Sequence, residues 1–480
     1  MATFAAAFAA CTHAPTVLRE PLVPPGPAVY AQGLPVADPA ARPAPELPEN
    51  WQELAGRLTL ADIVSIGLAN NPETRGSWLT AKAAAARVGM QRSAYLPTID
   101  VEGSFAHVNQ SAVGGQFTFS EDIYGASATL NWLLFDFGGR SARLDEAWAA
   151  LLASDYGHNA VIQDVVLAVE QAFYGYLAAK AQHSAAQANV REAQVNLEAA
   201  RKRHEVGVAT IADVLKAQTA FSQAQLLQQS FAGQIEALKG ELATAMGLPA
   251  STQYEVGWLP EDVPVEEVTE QVGPLLDKAL ADRPDLAEAR WRAEEAFSRL
   301  QSVKAQGWPS ISATSSGNRS YYLPGFFRTH TDDWSAALVL RYPLFTGFSQ
   351  HFDVKRAEAE AEVSKTQVTS LEQQVILEVW TGYSDLKTSL QQVKTTRDLL
   401  ASAEQSERVA LAQYKQGVGS ILDLLSAQGS LTTARAEEIR ARSNWFLAVA
   451  RLARATGALK PLERPEARAP REPTTGDEPR

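Results

Sequence analysis

The chain nearly lacks cysteine: Cys11 is the only one in 480 residues. A disulfide within one chain is therefore impossible. Its histidines (13, 107, 158, 183, 204, 330, 351) are scattered, with no HExxH or CxxC spacing, which argues against a zinc site. No GxxxxGK[ST] and no dinucleotide-type glycine cluster is present to cradle a phosphate. No catalytic constellation emerges, so the chain reads as a non-enzyme without cofactor or metal. Positive charge is also in deficit: the formal net charge is −12, and no basic stripe marks a nucleic-acid partner. Finally, no apolar run approaches the roughly 18 residues of a transmembrane helix. That excludes a helical span, but not a β-barrel, whose signal per strand is far weaker.

Proline is missing from two long stretches, 140–205 and 351–416, of about 66 residues each. As helices at about 1.5 Å per residue, each makes a rod near 100 Å. The usual helix has only about 11–12 residues. Rods of this length do not fit inside a globular core and must pack on other long helices. An Ala-, Gln-, Glu- and Leu-rich composition agrees with that reading.

What the chain does contain is a repeat, and repeats decide the fold. "HEVGVATIADVLKAQTAFSQAQ" (204–225) returns 210 residues later in "YKQGVGSILDLLSAQGSLTTAR" (414–435). Gly207, Val208, Ile211, Asp213 and Gln218 fall on Gly417, Val418, Ile421, Asp423 and Gln428. Upstream, 69–99 aligns on 281–311 without a gap, placing Pro72, Arg87, Pro97 and Ile99 on Pro284, Arg299, Pro309 and Ile311. "LNWLLF" (130–135) answers "LRYPLF" (340–345). One unit of about 200 residues is written twice.

Each copy predicts the same elements. Helices at 59–69 and 72–95, and again at 274–282 and 285–307, stop at Pro97 and Pro309, which cannot continue them. Strands follow at 98–108 and 123–135, then at 309–317 and 334–342. Their apolar and polar residues alternate with period 2, as in Tyr124, Ala126, Ala128, Leu130 and Trp132 against Gly125, Ser127, Thr129 and Asn131. The long rod comes next, then a glycine turn, then a return helix at 210–247 or 420–457. Gly207 and Gly417 suit the positive φ of a helix end, and Thr210 or Ser420 caps the following helix. The turn is the tip of a helical hairpin.

Strands of about 9–11 residues have transmembrane-barrel length. They are crowded with aromatics, among them Phe117, Phe119, Tyr124, Trp132, Tyr321, Tyr322, Phe326, Phe327, Trp334 and Tyr342. Aromatic girdles mark the membrane interfaces of such barrels. The competing reading is a buried aromatic cluster in a soluble sheet. Four strands cannot close on themselves, and an open sheet edge is forbidden in lipid. Three copies give twelve strands, an even number inside the observed range. The expected assembly is a homotrimer in lipid.

The doubled "YxxGVGSxLDLLSAQ…AR", the "LPT" and "WPS" helix-to-strand turns, and "LFDFGGR" with "LFTGFSQ" resemble the TolC-like outer-membrane efflux proteins over about 55–460. The resemblance implies a mainly α fold with a small transmembrane β part. Its trimeric channel-tunnel is a 12-stranded barrel, four strands per chain, on a long α-helical barrel that crosses the periplasm. It also implies a periplasmic adaptor and an inner-membrane pump as partners, serving drug, metal or solvent efflux and multidrug resistance. Two alternatives stay open: the channel of a type I protein secretion system, and a periplasmic coiled-coil structural or adaptor protein.

In the family, acidic rings near the tip narrow the entrance, which nominates Asp213 and Asp423 as the pore constriction. Counted from the turn glycines, both lie six residues on, nearly two helical turns inside the hairpin. The alternative reading is that they merely favour a helix N-terminus through its dipole, although position six is late for that. Gly419 and Ser426 stand where the family pattern has an Arg and a second acid, so an Arg–Asp latch is not expected. At the N-terminus, "MATFAAAFAAC" is similar to a lipoprotein signal, with Cys11 as the lipidated residue. It lacks the basic n-region of such signals, and the alternative is a merely Ala-rich N-terminus. The expected domains are 1–50 (signal and proline-rich tether), 51–260 and 261–460 (the two efflux repeats), and 461–480 (a disordered tail).

Overall fold

The computed structural model describes residues 45, 47–48, 51–112, 114, 116–263, 271–323 and 329–459. Cys11 and the tail from 461 onward lie outside the described residues, as do Phe326 and Phe327 and the side chains of Phe117 and Phe119. The described elements belong to a body beginning at Leu47.

Capping chemistry sets the first helices. After the short α1 (Trp51–Leu54), α2 (Leu60–Asn70) opens on a Thr59/Asp62 capping box, in which each residue's side chain bonds the other's backbone N–H. Such a box satisfies two amides that a helix start leaves without partners. Asn71 ends α2 and caps α3 (Pro72–Ser93), whose first residue is proline, where no amide is needed.

Two strands follow, β1 (Thr98–Ala112) and β2 (Phe117–Phe135), then α4 (Gly139–Glu205) and α5 (Ile211–Ala245). The second repeat runs α6 (Val272–Asp282), α7 (Pro284–Ala305), β3 (Ser310–Leu323), β4 (Thr329–Arg341), α8 (Ser349–Gln416) and α9 (Ile421–Ala455). α4 and α8 have 67 and 68 residues, so each is a rod of about 100 Å. They bear out the proline-free rods of the sequence.

The strands form one antiparallel sheet in the order β1-β2-β3-β4. At 13 to 19 residues they exceed the expected lengths. The pairing explains why. Beyond Phe105↔Tyr124 the ladder continues through His107↔Asp122 and Asn109↔Ser120, which put polar residues on the side that is apolar up to Phe105. Ala106, Ile123 and Val108 take the other side, so the alternation changes phase. Opposed residues share a face, so Ile99, Leu130, Ala128, Val101, Leu338 and Trp334 fall on one side. Asp100, Glu102, Thr129, Ser127, Ser316, Asn318, Ser335 and Asp333 fall on the other. The apolar side is bare in the chain, with Trp334 83% exposed, which removes the reading of a buried aromatic cluster.

The main core lies where the shorter helices gather around α4. Ile63, Ile66, Val166, Val169, Leu177, Leu242 and Met246 pack there with Tyr254 and Val256. A second cluster joins the hairpin ends of both repeats through Leu197, Ala200, Ala217, Tyr414, Ile421 and Leu424. A third, of Ala279, Val375, Val379 and Ala455, binds α6 to α8 and α9.

Candidate functional site

The hairpin tips are built identically in both repeats. Gly207 and Gly417 have φ of +78° and +79°. Their amides donate to the carbonyls of His204 and Tyr414, at 2.9 and 3.1 Å. Val208 and Val418 then donate to Arg203 and Gln413, at 2.8 and 3.1 Å. A left-handed residue at this point satisfies helix-end carbonyls that have no intrahelical partner. Both glycines stand where the sequence places the turn.

The aspartates require a correction. α5 and α9 restart at Ile211 and Ile421, so Asp213 and Asp423 are each the third residue of a helix, not two turns inside it. Each completes a capping box. Thr210 donates its hydroxyl (2.8 Å) and amide (2.9 Å) to Asp213 Oδ2, and Ser420 does the same to Asp423 Oδ2 (2.7 and 3.2 Å). The backbone and side-chain hydrogen bonds of Thr210 hold the Asp213 carboxyl below its ordinary range. At Asp423 the hydroxyl and then the amide of Ser420 do so. Asp423 is exposed and Asp213 half-buried, both are ionised at neutral pH, and both serve the helix start.

The structure also explains Gly419. A Cβ there would sit 2.9 Å from Gln413 Cβ and 3.2 Å from the Tyr414 amide, so any side chain forces the turn to shift. Sequence reasoning missed the contact that joins the two tips. The Arg203 guanidinium lies over the Tyr414 ring, 4.5 Å from its centre, and Nη1 donates to the Tyr414 carbonyl at 2.8 Å. Its repeat counterpart is Gln413, so only one of the two tips carries this arginine. Beside it Val195, Asn196, Leu411 and Gln428 line a groove of about 450 Å³ between α4 and the second hairpin.

At the opposite end of the rods, sheet meets helix. β2 bulges between Leu133 and Phe135, and Phe137 and Gly138 take positive φ before α4 begins. Arg140 ties this junction down. It donates Nη2 to the Leu134 carbonyl at 2.8 Å and its amide to Asp136 Oδ2 at 2.7 Å, and its guanidinium stacks on Tyr95. In the second repeat Gln350 takes the place: its amide donates to Thr346 Oγ1 at 3.3 Å and its side chain to the Val303 carbonyl at 2.7 Å. On the apolar face of the sheet Tyr124 stacks on Tyr321, ring centres 5.3 Å apart. Arg319 pairs with Asp332 one step before that aromatic row, and His107 with Asp122 one step beyond it.

Among the described residues no helix is long and apolar enough to cross a membrane, and no group of acidic, histidine or cysteine side chains is arranged for a metal. The sheet and the tips are therefore the surfaces with functional character.

Comparison with known proteins agrees in fold and in extent. The chain is 25% identical over 419 residues to the probable efflux pump outer membrane protein TtgC of Pseudomonas putida, covering 85% of each. It is 26% identical over 428 residues to the alkaline protease secretion protein AprF of Pseudomonas aeruginosa, covering 85% of this chain and 86% of that one. Its fold matches the outer membrane protein VceC of Vibrio cholerae with a TM-score of 0.73 at 20% identity, over 85% of this chain and 98% of that one. The family model for outer membrane efflux proteins matches residues 63–248 and 275–458, one segment in each repeat, and the chain belongs to that family.

Proposed function

We propose that this protein is the outer-membrane channel of a tripartite efflux system, a passive duct for small molecules across the periplasm and outer membrane. One observation carries the reading. A four-stranded sheet with a bare apolar face and two unpaired edges stands on two rods of about 100 Å in the same chain. In hydrocarbon an unpaired edge costs several kcal/mol per backbone group. Three copies remove every edge and give a twelve-stranded barrel. The polar face, with Asp100, Glu102 and Asp333, then lines the lumen, and the rods form the periplasmic tunnel.

The partners that suit this duct are a periplasmic adaptor at the hairpin tips and an inner-membrane pump that supplies the energy. Drugs, metals or solvents are the substrate classes. A second reading, export of a protein by a type I system, is favoured by the likeness to AprF. The two readings share the duct and differ in cargo. Cys11 would add a lipid anchor, and Asp213 with Asp423 would place six carboxylates at the trimer's entrance. Rings of acidic side chains are a general device for selecting cations.

The test joins assembly to transport. Purified protein heated without boiling should migrate as a trimer and conduct ions in a planar bilayer. Its deletion from the parent bacterium should raise the retention of a fluorescent efflux substrate. A monomer that conducts nothing would overturn the channel. Normal dye efflux together with loss of a secreted protein would transfer it to secretion.

A further inference from the structure

The chain contains one complete seam between its repeats and the two bare halves of another. The complete seam pairs β2 with β3 and packs α4 on α7. Within the hairpins, Thr98 faces Asn131 and Ser310 faces Arg341. Residue 98 therefore corresponds to 310, and 131 to 341, the same shifts that the sequence repeat shows. β4 is thus the counterpart of β2, and β1 the counterpart of β3, and both lie at the edges of the sheet. Resting on the assembly proposed above, we infer that a second copy of this chain closes the seam in the internal register, with Arg341 directly opposite the partner's Glu102.

The pair is read off the internal ladder. Asn131 faces Thr314 there, and the counterparts of these two residues are Arg341 and Glu102. Both project from the polar face, Arg341 beside Ser310 and Glu102 beside Ser127. Directly opposed residues of an antiparallel pair have Cβ atoms about 4.5–5.5 Å apart, so guanidinium meets carboxylate. A neutral pair at the internal seam becomes an ion pair at the subunit seam.

The helices repeat the rule independently. Across the internal seam Gly139 lies by Ala305 and Gly157 by Glu288, where an added Cβ would sit 3.5 and 3.0 Å from those side chains. The same shifts set Phe352 opposite the partner's Met90 and Val363 opposite the partner's Leu79. Three of their four internal counterparts are covered: Ala142 is 7% exposed, Ala153 2% and Ser302 5%, and the fourth, Trp291, is half-buried. In the half-seams the positions are bare: Phe352 is 65% exposed, Val363 56%, Met90 69% and Leu79 46%. The same register sets Glu360 opposite the partner's Lys82, whose counterparts by the same shifts are Ala150 and Glu294. Apolar area matches along both halves, and the charges are mixed: Glu360 meets the partner's Lys82, while Arg356 falls opposite the partner's Arg87, the counterparts of Glu146 and Arg299.

Cysteine cross-linking tests the register. Glu102→Cys and Arg341→Cys are placed in one chain that also carries Cys11→Ser, with Glu102→Cys and Val339→Cys in the same background as the shifted control on the same face. Within a chain β1 and β4 are three strand spacings apart, about 14 Å, beyond the reach of a disulfide. Only links between copies can form. After mild oxidation, boiling and non-reducing electrophoresis, the matched pair should give several-fold more covalent trimer than the control, and the single-cysteine variants none. In parallel, Glu102→Arg and Arg341→Glu should each deplete the heat-resistant trimer, and the two together should restore it. Equal or stronger linking of the control, or no linking in a protein that scatters light as a trimer, overturns the register and leaves the channel reading standing. A monomer by light scattering overturns both.

Discussion

Gly417 and Gly429 lie twelve positions apart in the same hairpin and have opposite needs. Gly417 holds φ at +79°, a region where a β-branched residue is a true outlier, while a Cβ on Gly429 meets nothing within 4 Å. Gly417→Val is expected to impair trimer yield or efflux, whereas Gly429→Ala, inside a helix, leaves both intact. Equal yield and equal efflux in the two variants would refute the tip assignment. Asp213 and Asp423 pose a different question, since their carboxylates already accept bonds from Thr210 and Ser420. The double Asn variant keeps an acceptor at the helix start and loses the charge. It should form the trimer, because exposed carboxylates contribute little to stability, but select cations less in a planar bilayer. Unchanged selectivity with a normal trimer would leave only the capping role, with the acidic Asp100, Glu102 and Asp333 of the sheet as the other source of cation preference.

Elements were legible in the sequence wherever one signal governs them. Proline at 72, 97, 284 and 309 marks helix ends, glycine marks the tips, and alternation marks the membrane part of each strand. The outer strand ends were not legible, because His107, Asp122 and Asn109 put polar residues on the side that is apolar up to Phe105, and the alternation changes phase. Nor was the depth of the two aspartates. The turn uses three residues after each glycine before the helix restarts, so distance counted from the glycine overstates distance along the helix. The Arg203 contact with Tyr414 joins residues 211 apart and leaves no trace in periodicity. Arg140 sits in a turn motif that the sequence does show, yet its role comes from carbonyls exposed by a bulge in the preceding strand. Hydrogen bonds to a buried charged group contribute about 1.5–3 kcal/mol. Arg140→Gln, which gives the first junction the chemistry of the second, should therefore lower the melting temperature measurably. Gln350→Arg should not recover the loss, and an unaltered melting curve for Arg140→Gln would remove the junction from the stabilising contacts.

For the whole molecule, the stability of the second repeat has a defined acid limit. Arg283 is buried and bonds Asp285, Glu378 and the Ala455 carbonyl, joining α7, α8 and the end of α9. Burial alone would raise the Asp285 carboxyl, but the hydrogen bond and charge of Arg283, aided by Arg454, outweigh it and set the group below its ordinary range. A depressed carboxyl gives stability that is fully present above its unfolded value of about 4. That stability is lost as pH falls through the lower folded value. Thermal stability should therefore hold from neutral pH to about 4 and decline below it, and Asp285→Asn should flatten that decline. A profile identical in the variant would exclude the cluster as its cause. Lipid attachment belongs to this scale too: Cys11→Ser should abolish labelling by radioactive fatty acid while much of the trimer assembles. Absence of label on the native protein would refute the anchor.

The strand order β1-β2-β3-β4 has a consequence for the sequence of events in folding. Each hairpin joins strands that are neighbours along the chain, and such local pairs close in about 1–10 μs. β2 ends at Phe135 and β3 begins at Ser310, so their ladder must wait for the intervening chain. That chain is the whole first rod, its return helix, and α6 with α7. The entropic cost of closing so long a loop falls once those helices are stacked. The β2–β3 ladder should therefore be the last part of each subunit's sheet to close, after the helical hairpin of the first repeat has brought the two strand pairs side by side.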